Sequence, residues 1–95
     1  MSALNTLDAG TLKQMGRAHL GRDQLSQALD AFAQALRADP TDAEAPLLLG
    51  DCYLAAGDAA TAESLYAQAL RLDPDSVEAA GRLSLARLER TRLTS

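Results

Sequence analysis

Residues 32–40 read FAQALRADP, and residues 66–74 read YAQALRLDP. The second stretch repeats the first at seven of its nine positions. In each of them an aromatic residue is followed by small and aliphatic residues at helical spacing, and an Asp-Pro pair ends the run. Proline lacks a backbone N–H and disfavours helical geometry in the residue before it, so each pair predicts a helix end. The chain therefore contains the same helix, with the same stop, twice.

The duplication extends well beyond these two stretches. Residues 9–42 and 43–76, aligned without a gap, share eleven of 34 positions, whereas the composition alone would give about four matches by chance. A repeat of this length with two helices in each unit is typical of helical repeat proteins. The sequence thus predicts an array of helix pairs.

The composition supports helices throughout the chain. Of the 95 residues (10.0 kDa), 20 are Ala and 18 are Leu, while there is one Val, no Ile and no Trp. Ala and Leu are strong helix formers, and strands need the β-branched and aromatic residues that are scarce here. We therefore predict one all-α domain over residues 1–95, with helices near residues 7–20, 24–38, 42–55, 58–72 and 76–91.

The repeated positions resemble those of the tetratricopeptide repeat (TPR) family. That family places a large residue, Leu, Gly and Tyr on a first helix, then Ala, an aromatic residue, Ala and Pro along a second. The first unit has Leu12, Met15, Gly16, His19, Ala28, Phe32, Ala35 and Pro40, and the second has Pro46, Leu49, Gly50, Tyr53, Ala62, Tyr66, Ala69 and Pro74. This sequence departs from the family pattern at Leu12 and Pro46, which stand where the family usually has Trp. The resemblance implies a right-handed solenoid of antiparallel helix pairs: repeat 1 over 9–42, repeat 2 over 43–76 and a capping helix over 77–91.

Several details of the later helices follow from the same register. Thr41 with Glu44, and Asp75 with Glu78, have the spacing of a capping box and predict the starts of the third and fifth helices. Pro46 stands near the fifth position of the predicted third helix, where we expect a slight bend or a lost hydrogen bond. The last helix has Ser84 and Arg87 where the full units have Gly and Tyr or His, which suits a polar cap that solvates the end of the array.

Catalytic and cofactor motifs are missing from the sequence. It contains no GxxxxGK, HExxH, CxxC or GxSxG pattern. Cys52 precedes a core tyrosine and is explained as a small buried residue, with a reactive thiol as the alternative. His19 replaces a core aromatic and is explained by packing. We expect a protein without catalytic residues, cofactor or metal site.

Charge and hydropathy exclude further classes of function. The net charge of −4 divides into −7 over residues 1–81 and +3 over residues 82–95. An acidic body argues against nucleic acid as the partner, because phosphate binding needs a clustered basic face. No apolar run approaches the ~20 residues of a membrane span, which predicts no membrane insertion. We expect a cytoplasmic protein and, from eight Arg against one Lys, a bacterial source.

The resemblance also implies a binding groove, because the first helices of successive TPR units line a concave surface. Its positions in this sequence are Lys13, Arg17, Leu20, Glu44, Leu47, Asp51, Leu54, Arg82, Leu85 and Leu88. Lys13 and Arg17 repel each other as i, i+4 neighbours, and a carboxylate between them would relieve this. The alternative is a solvated charged face. Four of the leucines, at 47, 54, 85 and 88, form either an apolar contact strip or core sealed by closer packing.

Two functions fit these features. The first is a non-enzymatic adaptor that binds a protein or peptide segment in the groove. Some TPR domains hold a carboxylate tail with a Lys/Asn/Lys/Arg clamp, but here Arg17 and Leu48 stand where that clamp has Asn, so recognition of that tail is not predicted. The second function is a structural or assembly subunit of a homo-oligomer or larger complex. It would use the Arg-rich last helix and the series Met1, Leu4 and Leu7.

Overall fold

The computed structural model describes residues 7–94, and over that range it consists of five α-helices. They are α1 (Ala9–Gly21), α2 (Leu25–Ala38), α3 (Glu44–Ala55), α4 (Ala59–Leu72) and α5 (Val77–Thr94). Short turns join them, and the extensive packing is between helices that are consecutive in the chain. The molecule is an elongated body of 53 × 29 × 17 Å. The predicted all-α solenoid of five helices is confirmed. Met1 and Leu4, which belong to the assembly hypothesis, lie outside the described residues.

Aspartates set where two of the helices begin. Asp8 accepts a hydrogen bond from the Thr11 backbone N–H at 2.7 Å, and Asp58 accepts one from Thr61 at 3.1 Å. These side chains satisfy N–H groups that the first helical turn leaves without partners. The helices therefore start just after the aspartates, and α1 begins two residues later than the sequence pattern predicts.

The start of α3 corrects the prediction made for Pro46. The helix begins at Glu44 and not at residue 42, so Pro46 is its third residue and not its fifth. Within the first turn a backbone N–H has no intrahelical acceptor, and proline is tolerated there.

Both predicted capping boxes are wrong in detail. The Thr41 hydroxyl donates to Asp39 at 2.7 Å and does not cap α3. At the start of α5 the capping side chain is that of Ser76, one residue after Asp75, and its hydroxyl oxygen accepts from the Ala79 backbone N–H at 3.0 Å. The Glu44 backbone N–H, which a Thr41 cap would have to satisfy, donates to Asp42 at 3.1 Å instead. Nearby polar side chains thus take over the roles that the pattern assigned to Thr41 and Asp75.

The turn inside each helix pair contains one residue in the left-handed region. Asp23 has φ 59° and Gly57 has φ 88°. The two residues occupy equivalent positions of the repeat. Glycine adopts this conformation without the steric cost that a Cβ imposes, so the second turn is the less strained of the two.

The core is built around the two repeated aromatic rings. Phe32 and Tyr66 are fully buried, and the alanines one turn before and after each of them are 0–1% exposed. A Cβ built on Gly50 would lie 2.7 Å from Cε1 of Tyr66, and Gly16 meets Phe32 in the same way. Only glycine permits this close approach of the first helix to the ring. The packing predicted from the repeat register is present in both units.

Candidate functional site

Four charged side chains join α1 to α3 on one surface of the molecule, and we call them the α1–α3 ion cluster. The Lys13 Nζ lies 2.6 Å from Asp42 Oδ2 and 2.9 Å from Glu44 Oε1. Arg17 contacts the other oxygen of Glu44. Hydrogen bonds to both carboxylates raise the pKa of Lys13 above its ordinary value. The carboxylate that relieves the Lys13–Arg17 repulsion therefore comes from the next repeat of the chain itself.

A second group, the α3–α5 ion cluster, continues this surface. Asp51 accepts hydrogen bonds from the Tyr66 hydroxyl at 2.6 Å and from Arg82 at 2.8 Å. Arg82 also contacts Glu78 one turn earlier, at 3.2 Å. Burial raises the pKa of Asp51, although Tyr66 and Arg82 oppose that rise by stabilising the carboxylate. The first helices of the three units are thus linked side by side through paired charges.

The apolar groove candidates lie in different surroundings. Leu47 is 8% exposed and belongs to the core cluster around Tyr66 and Leu83. Leu54 is half-buried against the same cluster, while Leu85 and Leu88 are 48% and 69% exposed. The four leucines therefore do not form one continuous exposed strip, because Leu47 is packed into the core with side chains of α4 and α5. Leu20, the fifth apolar candidate, packs half-buried against the core around Phe32.

A small pocket of about 130 Å³ opens beside the α1–α3 ion cluster, between the start of α3 and the loop before α5. Leu47 contributes its apolar part. Three carboxylates also line it, together with Ala43 and Ser76: Glu44, Asp73 and Glu78. The pocket is therefore shaped for a side chain with an aliphatic stem and a polar or positively charged tip.

Cys52 and His19 have structural roles in the packing of the helices. Cys52 is fully buried in the core around Phe32, and burial raises the pKa of its thiol to about 11. A thiol with that pKa is almost entirely protonated near neutral pH and is a poor nucleophile. His19 is half-buried, with Nδ1 at 2.8 Å from the side-chain oxygen of Gln24 beyond the turn. Cys52 thus packs α3 on the core around Phe32, and His19 lies at the turn between α1 and α2.

Three members of the clusters were missed by the sequence reasoning: Asp42, Tyr66 as a hydroxyl donor, and Glu78. Glu78 is the repeat equivalent of Glu44 and could have been found by continuing the register into α5. The Tyr66 hydroxyl could have been paired with Asp51 from the register as well, since both belong to the second unit. Asp42 lies in a connecting turn, where the repeat pattern carries no information about side-chain direction.

Comparisons with known proteins agree with this fold. A tetratricopeptide repeat family model matches residues 13–77 and again 53–95. The first TPR domain of Spaghetti (RPAP3), solved with the HSP90 peptide SRMEEVD, has a TM-score of 0.85 and 26% identity over 90% of this chain and 70% of that one. The Sgt2 TPR domain from Aspergillus fumigatus has a TM-score of 0.84 and 30% identity, over 88% of this chain and 56% of that one.

The second TPR domain of Spaghetti superposes over 99% of this chain and 88% of that one, with a TM-score of 0.87 and 24% identity. That likeness concerns the fold. A search of curated protein sequences gives no significant match. Among the described residues, none of the helices combines the length and the apolar character that crossing a bilayer requires. The fold is one of protein–protein interaction, and the family model spans most of the chain: the chain belongs to the tetratricopeptide repeat family.

Proposed function

We propose that the surface formed by α1, α3 and α5 binds a segment of a partner protein. The observation that carries this proposal is the row of charged side chains that three separate helices contribute to one surface. Arg17 and Glu78 keep 46% and 71% of their side-chain surface exposed although both are paired. A partner can therefore exchange hydrogen bonds with them without unfolding any element.

The charges of this surface favour a partner segment of mixed or basic character. The two clusters together contain three cations and four carboxylates: Lys13, Arg17 and Arg82 against Asp42, Glu44, Asp51 and Glu78. The pocket at the start of α3 adds Asp73 to the acidic side. A Lys or Arg of the partner would find both an apolar wall and carboxylates there.

An acidic tail such as SRMEEVD, which the related Spaghetti domain binds, is a poor match for this surface. Its carboxylates would have to displace Glu44 from Lys13 and Arg17. We expect weak binding of that peptide to the native chain, and about tenfold tighter binding to Glu44→Gln, in which Arg17 loses its carboxylate partner and Lys13 keeps only Asp42. Asp30→Asn, which removes an exposed carboxylate from α2, is the matched control, and its affinity for the peptide should stay within about twofold of the native value. Equal gains in the two variants would contradict the role given to Glu44.

The binding surface itself is tested with peptides selected by display against the purified chain. A titration of the ¹⁵N-labelled chain should shift amide signals of α1, α3 and α5 and leave most of α2 unchanged. Arg17→Glu and Glu78→Lys should weaken binding, whereas Arg37→Glu, at an exposed position on α2, should not. Selected peptides that bind all three variants equally, or that shift mainly α2 and α4, would refute the proposed surface.

A further inference from the structure

The pocket at the start of α3 has a counterpart in the first unit, where the chain fills the same place with one of its own side chains. The pocket lies between the start of α3 and the loop before α5. Its lining residues can be compared with those one repeat earlier: Leu47, Asp73, Ser76 and Glu78 correspond to Lys13, Asp39, Asp42 and Glu44. The pocket is therefore the repeat equivalent of the site that Lys13 occupies between α1 and the loop before α3.

In the first unit these positions hold an ammonium group. Asp42 and Glu44 both bind the Lys13 Nζ, and the Lys13 side chain is only 16% exposed. The pKa of Asp39 is lowered chiefly by hydrogen bonds from Thr41, and the nearby charge of Lys13 lowers it further. The chain itself thus shows which chemical group the polar side chains at these positions bind.

In the second unit the acceptors remain, but a leucine replaces the lysine. Asp73 and Glu78 keep their carboxylates, and Ser76 presents a hydroxyl where the first unit has an aspartate. Leu47 is shorter than a lysine and ends in methyl groups, so it supplies an apolar wall and no cation. Glu44 adds a further carboxylate from the α3 side. The result is an open pocket of about 130 Å³ that has the acceptors of an ammonium site.

Two carboxylates of the pocket each have one oxygen available for a cation. The Asp75 backbone N–H donates to Asp73 Oδ1, and Arg82 donates to Glu78 Oε2. Among the described residues, Asp73 Oδ2 and Glu78 Oε1 accept no hydrogen bond. An ammonium can therefore bind both carboxylates through charge-assisted hydrogen bonds without breaking an existing contact.

We propose that this pocket takes the side chain of a lysine from the partner segment, with its ammonium bound by Asp73, Ser76 and Glu78 and its aliphatic stem against Leu47. The inference rests on the proposed function, since the surface of α1, α3 and α5 brings the partner segment to the pocket. Lysine is favoured over arginine because the equivalent site of the first unit holds a compact ammonium, whereas a guanidinium spreads its donors over a planar fork. The partner thus supplies in the second unit the cation that Lys13 supplies in the first.

A small lysine derivative tests the pocket without any partner. The ¹⁵N-labelled chain is titrated at low salt with Nα-acetyl-lysine methylamide, whose side chain carries the only ammonium of the probe. We expect saturable shifts of the Ala43, Ser76 and Glu78 amide signals, with a Kd on the order of 1–10 mM. The norleucine derivative, which has the stem without the ammonium, should give no saturable shift. Equal responses to the two derivatives, or no saturable response to either, would overturn the lysine pocket.

Two variants of the loop before α5 assign that binding to the pocket. Asp73→Asn should weaken binding of the lysine derivative about fivefold, because a neutral amide replaces the carboxylate. Its side-chain oxygen can still accept the Asp75 backbone N–H, so the loop keeps its hydrogen bond. Asp75→Asn is the matched control, since Asp75 is also exposed but does not line the pocket, and it should leave the affinity unchanged. Equal losses in the two variants would refute the assignment.

The peptides selected by display test the pocket in its role within the binding surface. Replacing one lysine of such a peptide by methionine should weaken binding to the native chain about tenfold, and by arginine about threefold. On Asp73→Asn the methionine replacement should cost less than about twofold, because the lysine and Asp73 act as a pair.

The outcomes separate the pocket from the surface around it. Peptides that bind on α1, α3 and α5 although none of their lysines is coupled to Asp73 would overturn the pocket and leave the binding surface standing. Arginine peptides that bind as tightly as the lysine peptides would overturn the choice of lysine. Peptides that shift mainly α2 and α4 would refute the surface instead, and the lysine derivative alone then decides whether the pocket binds an ammonium.

Discussion

Tyr66 and Asp51 are joined by a hydrogen bond of 2.6 Å between the phenol oxygen and Oδ1. The ring of Tyr66 is fully buried, whereas Asp51 reaches the groove surface and holds Arg82. In the first unit the equivalent positions hold Phe32 and Arg17. A tyrosine at position 32 would face the Arg17 guanidinium, where the second unit has the Asp51 carboxylate as acceptor. The choice between Phe and Tyr in the two cores thus follows the charge on the neighbouring helix.

Tyr66→Phe should lower the free energy of unfolding by about 1–2 kcal/mol, because the half-buried Asp51 loses a donor. Urea unfolding followed by circular dichroism measures the change. Tyr53→Phe is the control, since Tyr53 is half-buried and its hydroxyl makes no hydrogen bond within residues 7–92. It should stay within about 0.5 kcal/mol of the native chain. Equal losses in the two variants would show that the Tyr66 hydroxyl contributes nothing specific.

Two glycine substitutions should change stability in opposite directions. In Gly50→Ala the new Cβ would lie 2.7 Å from the buried ring of Tyr66, and relieving that overlap should cost about 1–3 kcal/mol. Gly81→Ala meets nothing within 4 Å and should gain up to about 1 kcal/mol in helix propensity. Urea midpoints at low protein concentration compare the two. A gain at both positions would mean that Tyr66 moves aside without cost.

The chain should lose stability in alkaline solution. The pKa values of Cys52, Tyr66 and Lys13 are all raised by folding, the first two chiefly by burial and the third by hydrogen bonds to carboxylates. A raised pKa gives stability that is fully present below the ordinary values of 9.0, 10.0 and 10.5 and is lost as pH rises through the folded pKa. Urea midpoints should therefore be constant from pH 7 to about pH 8.5 and fall above it.

The thiol contribution to this alkaline loss can be isolated. Cys52→Ala should show a smaller fall between pH 9.0 and about 11, the range over which the thiol titrates. The first unit has Ala18 at the position equivalent to Cys52, so alanine is already used at this place in the repeat. A native chain whose stability rises with pH over this range would contradict the assigned directions.

Glu63 fastens the end of α5 to α4. Its carboxylate lies 3.0 Å from Arg87 Nε and 2.6 Å from Arg90 Nε, and its side chain is 21% exposed. Glu63→Gln should cost about 1 kcal/mol at low salt and speed amide hydrogen exchange in the last turns of α5. Glu89→Gln, which loses only the local pair with Arg92, should have a smaller effect. Unchanged exchange after Glu63→Gln would mean that apolar contacts alone hold the helix.

The sequence was informative wherever the repeat register applies. Phe32 and Tyr66 with their flanking alanines, and the glycines facing the rings, could be predicted because each position occurs twice at the same spacing. The boundaries of α1 and α3 were less accurate. Asp8 precedes α1 as its cap, and Asp39 engages Thr41, which the pattern had assigned to α3. Those local competitions between side chains and backbone leave no periodic signal.

The groove could be predicted only in part. Lys13 and Glu44 were both candidates, but their contact joins two different repeats and depends on the angle between successive helix pairs, which a one-dimensional pattern does not contain. The same angle decides whether Leu47 faces a partner or the core. Its position on the helix was predictable, whereas its 8% exposure depends on how closely α5 approaches.

The left-handed turn at Asp23 makes the first helix pair the one that unfolds more easily. The first helix pair combines this strained turn with an α2 whose N-cap, Gln24, makes no capping hydrogen bond from its side chain. The second pair has Gly57 at the equivalent turn and Asp58 as a capping residue. In a linear array each unit is supported only by its neighbours, so the less stable terminal pair frays first. A protease should therefore cut the chain earliest around Arg22, and a partner that spans α1 and α3 would protect that bond by holding the first pair closed.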